Sequence, residues 1–294
     1  GIGSDMAKTT STTKAKTKTI KAAKASKKTT ASKITVPAVS YNANSRLNLR
    51  NLNLLSAATF IILALVAVLL MNHNTYELTI NYLTIDKLAS GAIVPAYRHF
   101  MDLQLRFVVS GLLLLSAVGP VLHATRMKQT YLNAVKSKVM PWRWVEQGVL
   151  QAIMLTVVAL LYGYQDVTTL KLFALLAVVI NLLGWYVEKE FLQNKLAAMR
   201  SFAFSVVAVA LAVLFIALSG AATYGYGQIR ASWFVYAVFA TLITAFGLNL
   251  ATQFKYLKQF KDGKVYELVE SKYLTIGLLS KLAFAVILIV GLSK

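Results

Sequence analysis

One lysine and one glutamate lie in stretches that are otherwise almost entirely apolar. Lys281 stands in TIGLLSKLAFAVILIV, residues 275–290, and Glu146 stands in MPWRWVEQGVL, residues 140–150. An ammonium at the centre of a membrane-spanning helix costs about 2.5–3.5 kcal/mol on insertion scales. A second group must therefore offset that cost, or the lysine must be chemically modified.

The two side chains are expected at similar depths in the membrane. Lys281 follows Tyr273, where its span begins, by eight positions, which places its Cα about 12 Å inside the boundary. Counted from Met140, Glu146 lies about 9 Å inside the same boundary. Because both spans run in the same direction, the sequence predicts that this cation and this anion can meet.

Three interpretations of the pair stay open on the residues alone. In the first, it is a structural ion pair, and Arg143, three positions before Glu146, satisfies the carboxylate. In the second, Lys281 or Glu146 changes protonation during the cycle of a transporter. In the third, burial favours the neutral form of the amine. That amine condenses with an aldehyde to a Schiff base, whose positive charge Glu146 balances.

The composition indicates a membrane protein with several spans. The chain has 294 residues, of which 57% are hydrophobic and only 14% are charged, whereas soluble domains have about 25% charged residues. Seven apolar runs are long enough to cross the hydrocarbon. They are residues 52–71, 104–123, 142–162, 169–187, 201–222, 232–254 and 273–292.

The same composition argues against several classes of chemistry. There is no cysteine, so disulfides and thiolate metal sites are excluded. The three histidines, His73, His99 and His123, are not spaced as a zinc pair would be. No nucleophile–base pair typical of an enzyme is visible, and we expect no enzymatic activity.

The basic residues predict the orientation of the spans. Lys and Arg are concentrated before the first span and in the loops after the second, fourth and sixth spans. By the positive-inside rule, the N-terminus is cytoplasmic and the C-terminus extracellular. Between the first two spans, YELTINYLTI alternates apolar and polar residues, which predicts a short extracellular β-hairpin. The expected fold is therefore an all-α membrane protein, a seven-transmembrane-helix bundle with one hairpin.

The N-terminal segment differs from the rest of the chain. From Lys8 to Lys33, lysine alternates with Thr, Ser and Ala, a composition that predicts disorder. We expect residues 1–45 to form this tail and residues 46–294 the bundle; GIGSD before Met6 looks like a remnant of expression. A lysine-rich tail beside a membrane favours binding to anionic lipid, and nucleic acid is the less favoured target.

At this point the sequence resembles the heliorhodopsins, and the likeness covers most residues after about 45. RWVEQ (143–147) in the third span resembles the family's Arg-Trp-x-Glu pattern, AFGLNLATQF (245–254) a stretch of the sixth span, and Tyr273 and Lys281 keep the family's spacing. The predicted inverted orientation and long first outside loop also fit.

The resemblance implies a function and a set of site residues. It implies a photoreceptor of the cell membrane, with all-trans retinal covalently bound to Lys281 as a Schiff base, Glu146 as its counterion and Arg143 associated with that counterion. It also implies a homodimer that does not pump ions. Its signal would pass to a cytoplasmic partner that is still to be identified. Additional residues of the retinal pocket or of a polar network are expected at Met154, Asn181, Phe239, Phe246, Asn249, Gly277 and Ser280.

Several positions depart from the family pattern. Gly277 stands where the family often has a serine, one turn before the lysine, and Ser280 is expected to point about 100° away from Lys281. The family's histidines in the first two spans and the Pro-Trp pair in the fifth span are not evident. The Schiff-base proton is therefore expected either to stay in place or to use a different acceptor.

The remaining polar residues are interpreted as ordinary ones. Glu188, Glu190 and Glu270 are expected to be surface charges, and His123 to be interfacial. Trp142, Trp144, Trp185 and Trp233 are expected in the interfacial belts, with the bundle interior as the alternative for Trp144. Two other functions remain open: a light-driven or light-gated ion transporter, and a retinal-free transporter or structural membrane protein with a buried Lys281–Glu146 pair.

Overall fold

A computed structural model describes residues 43–85, 91–227, 230–259 and 265–293. The predicted tail, residues 1–45, lies almost wholly outside these residues. The helices and strands of the described residues are α1 (Ala43–Leu70), β1 (Thr75–Ile85), β2 (Ile93–Gln104), α2 (Leu105–Ala124), α3 (Lys128–Ser137), α4 (Pro141–Leu161), α5 (Val167–Phe191), α6 (Lys195–Tyr226), α7 (Trp233–Gln259) and α8 (Val265–Leu292).

Seven of these helices are long and apolar enough to cross a membrane, which confirms the predicted seven-helix bundle. The exception is α3, a helix of 10 residues. The hairpin between α1 and α2 is also confirmed, although its strands of 11 and 12 residues are longer than the pattern suggested. The strands pair antiparallel, with an irregularity at Leu78/Thr79.

The bundle has two ends that differ in structure. At the hairpin end, β1 meets the turn between α4 and α5, where the Thr79 N–H donates to the Gln165 carbonyl over 2.9 Å, and the Asn72 N–H donates to Leu292 at the end of α8 over 2.8 Å. The opposite end, called here the basic end, carries α3 and the turn between α5 and α6.

Helix α4 occupies the centre of the bundle. Its apolar segment is 72% buried, against 22–44% for the other six spans. It packs against α2, α5 and α7, while α8 packs against α1, α2 and α7. Residues on α4 and α8 therefore point into the interior from facing helices.

Local sequence explains where these helices start. Pro141 stands in the first turn of α4, where its missing N–H costs nothing. Asp166 caps α5 by accepting from the Thr169 N–H over 2.8 Å, and Asn194 caps α6 by accepting from the Leu196 N–H over 2.9 Å. Such caps satisfy backbone donors that the first helical turn leaves free.

Candidate functional site

Lys281 lies inside the bundle, on the face of α8 that meets α1 and α4. Its side chain is 8% exposed, and its Nζ lies 5.5 Å from the centre of the Phe60 ring on α1. In the described part of the chain, it forms no salt bridge. The amine is thus buried without a direct ionic partner, an environment that disfavours the charged form of an amine.

Glu146 reaches the same cavity from α4. This cavity of about 40 Å³ is lined by Lys281, Glu146, Gln147 and Gly277, among others. The structure therefore brings together the two residues that the sequence paired, at a separation longer than an ion pair. Lys281 and Glu146 therefore do not form the direct ion pair of the first interpretation.

On its other side, Glu146 lies against α2. A Cβ placed on Gly119 would collide with the Glu146 carboxylate, so the absence of a side chain at this position makes room for the acid. A second cavity, of about 220 Å³, opens beside Glu146 and is lined mainly by apolar residues of α2 and α4. Glu146 thus stands between two cavities, and Lys281 lines only the first of them.

Arg143 does not pair with Glu146. Its guanidinium binds the carboxylates of Glu188 on α5 and Glu270 on α8. Both glutamates are 1% exposed, so the expectation that they are surface charges was wrong. The correction has a physical reason: α5 and α8 extend beyond the predicted spans, so both acids lie on helices, within reach of Arg143 on α4, rather than in loops.

Hydroxyl groups surround this cluster of Arg143, Glu188 and Glu270. The Tyr131 hydroxyl of α3 donates to Glu270 over 3.3 Å, and the Tyr266 hydroxyl donates to Glu188 over 3.4 Å. Burial, together with the charge of Glu270, raises the pKa of Tyr131 far above its usual range. Tyr131 therefore stays a neutral donor and joins α3 to the buried charges.

Most of the further predicted residues line cavities next to Lys281. Besides Lys281, one cavity of about 10 Å³ is lined by Gln147, Gln151, Met154, Leu242, Ala245, Phe246, Asn249, Gly277 and Ser280. A neighbouring cavity of about 20 Å³ includes Asn181 and shares Gln151, Phe246 and Asn249 with the first. Phe239 instead packs against the Tyr162 ring, with 4.9 Å between ring centres.

Gly277 lies beside the Lys281 amine, and Ser280 lines the same cavity. A Cβ on Gly277 would lie 4.0 Å from the Lys281 Nζ and 3.7 Å from the Gln147 Nε2, ordinary contact distances. A serine at position 277 would therefore reach the amine, and glycine removes that hydroxyl. Ser280 lines the same cavity, but its hydroxyl donates back to the Gly277 carbonyl over 3.3 Å.

His123 lies closer to the site than the interfacial expectation implied. It lines the cavity shared by Lys281 and Glu146, and its ring stacks on Tyr131 at 4.7 Å between centres. His73 precedes the hairpin and His99 lies in β2. Arg106 contacts His73 over 3.2 Å, and His99 contacts Asp102 over 3.2 Å.

The tryptophans divide between the two expected environments. Trp142 and Trp233 are largely exposed, in keeping with interfacial positions, whereas Trp144 is buried. The Trp144 ring packs edge-on against Tyr273. For Trp144 the alternative placement in the interior is therefore the correct one.

Sequence reasoning missed Gln147 and Gln151, which line the cavities beside Lys281. One signal was available, because an amide at i and another at i+4 of an apolar helix share one face. Within the part of the chain that the structure describes, the Oε1 of Gln147 and the Oδ1 of Asn249 are buried without a hydrogen-bond partner.

These residues fit a chromophore that carries an aldehyde. The buried Lys281 amine would be the nucleophile for such a group, Glu146 places a carboxylate at the same cavity, and Met154, Leu242 and Phe246 provide apolar walls for a polyene. A seven-helix membrane bundle with a buried lysine on its last helix and an acid on its third span is the design of a retinal-binding rhodopsin.

Comparison with known families agrees with that class. The sequence model of the heliorhodopsin family matches residues 49–292. The chain belongs to the heliorhodopsins, which are retinal-binding, light-sensing membrane proteins rather than classical enzymes. Comparison with curated proteins gave no match.

Proposed function

We propose that this heliorhodopsin is a photoreceptor in which Lys281 carries all-trans retinal as a protonated Schiff base, with Glu146 as the counterion. We further propose that light produces a conformational signal without ion pumping. The observation that carries the proposal is the shared cavity of a buried, unpaired amine and a carboxylate on a facing helix. Retinal, when bound, absorbs a visible photon and isomerises.

The roles of the chain's own residues follow from their positions. Lys281 holds the chromophore, and Glu146 holds the balancing negative charge. Met154 and Phe246 exclude water on the side of the cavity away from Glu146. His123, which lines the cavity of Lys281 and Glu146, is the side chain best placed to share a proton with Glu146, in place of the family's histidines.

The signal is proposed to leave the site at the basic end. The Arg143 cluster joins α4, α5 and α8, and Tyr131 adds α3 to them. A change of charge at Glu146, three positions from Arg143, therefore acts on four helices at once. Such a local electrostatic event can bias a two-state arrangement of packed helices.

The distribution of titratable residues supports a sensor rather than a pump. Within the described spans, Asp, Glu and His occur only as His123, Glu146, Glu188, Glu190 and Glu270. All of them lie on the basic-end side of Lys281. A proton pump needs acceptor and donor groups on both sides of the chromophore, and the hairpin-end halves of the described spans contain none of these three residue types.

We propose that the basic end faces the cytoplasm, in a cell membrane that the chain crosses seven times. The lysine-rich segment of residues 8–33 would then lie beside the cytoplasmic leaflet and bind its anionic lipids, with nucleic acid as the weaker candidate. The same side would present the basic end, including α3, to the cytoplasmic signalling partner.

A homodimer is proposed on the exposed side chains of the hairpin. Tyr82, Leu83, Ile93, Tyr97 and Phe100 are all about half exposed or more. An isolated two-stranded hairpin is marginally stable. A patch of exposed apolar side chains of this size is typical of a protein–protein contact site. A second copy of the chain would supply the surface that covers it.

The test is the absorption spectrum of the purified protein after addition of all-trans retinal, compared with Lys281→Ala and Glu146→Gln. We expect a visible band that Lys281→Ala abolishes. Glu146→Gln should move the band to longer wavelength, because loss of the counterion stabilises the excited state relative to the ground state. If the wild-type protein forms no band, the proposed attachment is wrong and Lys281 reverts to a transporter or structural role.

Light-driven proton transport, the second candidate, is tested separately in illuminated cells. A pH change of the medium that a protonophore abolishes would contradict the sensor proposal. No light-dependent pH change in cells that carry the coloured protein is the outcome that the one-sided distribution of acids predicts.

A further inference from the structure

The small cavity beside Lys281 adjoins a second one. The two share Gln151, Phe246 and Asn249, and the second extends between α4, α5, α6 and α7 to Asn181 and Ser205. A chromophore on Lys281 has two directions open to it. The side of Glu146 carries charge, so the apolar polyene is expected on the other side, in the cavity that Lys281 lines with Met154 and Phe246. The ring of the chromophore is then expected at the far end of the second cavity, near Asn181 and Ser205.

The walls of this path change character along its length. Next to Lys281, Met154, Leu242 and Phe246 are apolar. At the far end, Asn181, Ser205 and Gln253 line the cavity and are each 2% exposed. The unsubstituted ring of retinal is a hydrocarbon and cannot form hydrogen bonds with these groups. Burying polar side chains around such a ring costs free energy wherever they lack partners.

Most of the far polar groups use their donors within the protein. Asn181 Nδ2 donates to Gln151 Oε1 over 2.7 Å, and Gln253 Nε2 donates to the Gly184 carbonyl over 3.0 Å. The Ser205 hydroxyl donates to the Ser201 carbonyl over 3.2 Å.

Asn249 is different from these neighbours. Its Oδ1 is buried and has no hydrogen-bond partner among the described residues, and the residue lines both cavities. A buried acceptor of this kind calls for a donor from a ligand or from a water molecule.

We infer that the far cavity recognises a hydroxyl group on the chromophore ring, so that the preferred ligand is a ring-hydroxylated all-trans retinal. The hydroxyl donates to Asn249 and can accept in return, so it satisfies the amide in either of its two orientations. This inference rests on the proposed attachment at Lys281. Asn249 acts here as a specificity-determining residue for the ligand.

The experiment is a competition between two aldehydes. Protein made without retinal is incubated with equal amounts of all-trans retinal and all-trans 3-hydroxyretinal, and separately with retinal and 4-hydroxyretinal. Bound chromophores are released with hydroxylamine, and their oximes are separated and quantified. We expect one hydroxylated form to be enriched about fivefold over retinal, the gain typical of one additional neutral hydrogen bond.

Variants locate the source of the preference. Asn249→Leu should bring the ratio of bound hydroxylated retinal to bound retinal to about one. Asn249→Ala, with a smaller side chain, should have the same effect. The control is Thr244→Val, which removes a hydroxyl on the exposed face of the same helix, where it donates to the Ala240 carbonyl. This control should keep the wild-type ratio.

The outcomes separate the two proposals. Equal occupancy by retinal and both hydroxylated forms, or a preference unchanged in the Asn249 variants, overturns the inference and leaves water as the partner of Asn249. If the Asn249 variants do not fold, the thermal stability of the wild-type protein with each aldehyde decides, and equal melting temperatures overturn the inference. Absence of a visible band with every aldehyde overturns the attachment at Lys281 itself.

Discussion

At the residue scale, the position of Glu146 depends on a glycine of another helix. The carboxylate stands between the cavity of Lys281 and the Gly119 backbone. Lys281 lines the cavity on one side of the carboxylate and does not line the cavity beside α2. An atom added at Gly119 is therefore expected to push the carboxylate toward the amine. Gly119 therefore sets the distance between the proposed Schiff base and its counterion.

Gly119→Ala is expected to shift the visible band of the retinal-bound protein to shorter wavelength. If the two unit charges approach by about 1 Å, their attraction grows by about 1 kcal/mol at an effective dielectric constant of about 20. For a visible band, this energy corresponds to a shift on the order of 10 nm. The measurement is the absorption maximum of the purified protein.

Gly111→Ala is the matched control for this shift. It adds the same methyl group to α2 at a position where a Cβ meets no atom within 4 Å. Its band should stay at the wild-type wavelength. Equal maxima for Gly119→Ala and the wild type would contradict the placement of the carboxylate.

The sequence predicted single charged residues better than it predicted their partners. Lys281 and Glu146 stand out because Lys281 is the one charged residue of its apolar run and Glu146 is the one acid of its run. Glu188 and Glu270 stand at the ends of such runs, beside ordinary basic residues. Only the arrangement of α4, α5 and α8 in the bundle shows that these two acids share Arg143, and that arrangement has no signal in a local pattern.

At the scale of elements, Asp166 joins the hairpin to the bundle. One carboxylate oxygen accepts from the Thr169 N–H at the start of α5, and the other accepts from the Asn81 N–H of β1 over 3.1 Å. Partial burial works against ionisation, but these backbone hydrogen bonds outweigh it and hold the pKa of Asp166 below its usual range.

Asp166→Ala should lower the free energy of unfolding by about 1 kcal/mol at pH 7, the usual value of a helix N-cap. Because the pKa of Asp166 is lower in the folded than in the unfolded protein, the contribution of its charge is fully present above the unfolded value of about 3.9. It disappears as the pH falls through the folded value. The difference in melting temperature between the variant and the wild type should therefore be smaller near pH 3 than at pH 7.

Hydrogen exchange provides the structural readout of the same change. The Asn81 amide should exchange faster in Asp166→Ala, because its acceptor is gone. Asp102→Ala, on the other strand and exposed to solvent, is the control and should leave Asn81 protected. Unchanged protection of Asn81 in Asp166→Ala would show that the hairpin is held by other contacts.

The spans were predictable because their signal is local. A run of about 20 apolar residues has few structures available other than a membrane helix, and alternation in YELTINYLTI identified a strand. Helix α3 was not predicted. It lies within a loop rich in basic residues, and only Tyr131 and Val135 of its ten residues are buried, so its register is set by contact with the buried cluster.

At the scale of the whole molecule, basic residues distinguish the two ends. Lys128, Lys136 and Lys138 lie on or beside α3, and Lys195 and Arg200 lie at the start of α6. The side on which such residues collect normally stays in the cytoplasm. The apolar hairpin at the other end would then face the outside, where a second copy can cover it.

The absence of cysteine makes this orientation directly measurable with single-cysteine variants. Thr84→Cys places a thiol on the exposed hairpin, and Lys136→Cys places one on the exposed side of α3. A membrane-impermeant maleimide applied to intact cells should label Thr84→Cys and leave Lys136→Cys unlabelled. Both should react once the membrane is made permeable, because both positions are open to water.

Leu211→Cys is the control for insertion. Leu211 lies in the apolar span of α6 and is exposed on its surface. Its thiol should resist labelling in both conditions, because a thiol within the hydrocarbon is shielded from a charged reagent. The reverse pattern, with Lys136→Cys labelled in intact cells and Thr84→Cys protected, would place the basic end outside. The lysine-rich segment would then be removed from the cytoplasmic leaflet, and a signal leaving through the Arg143 cluster would have to reach an extracellular partner.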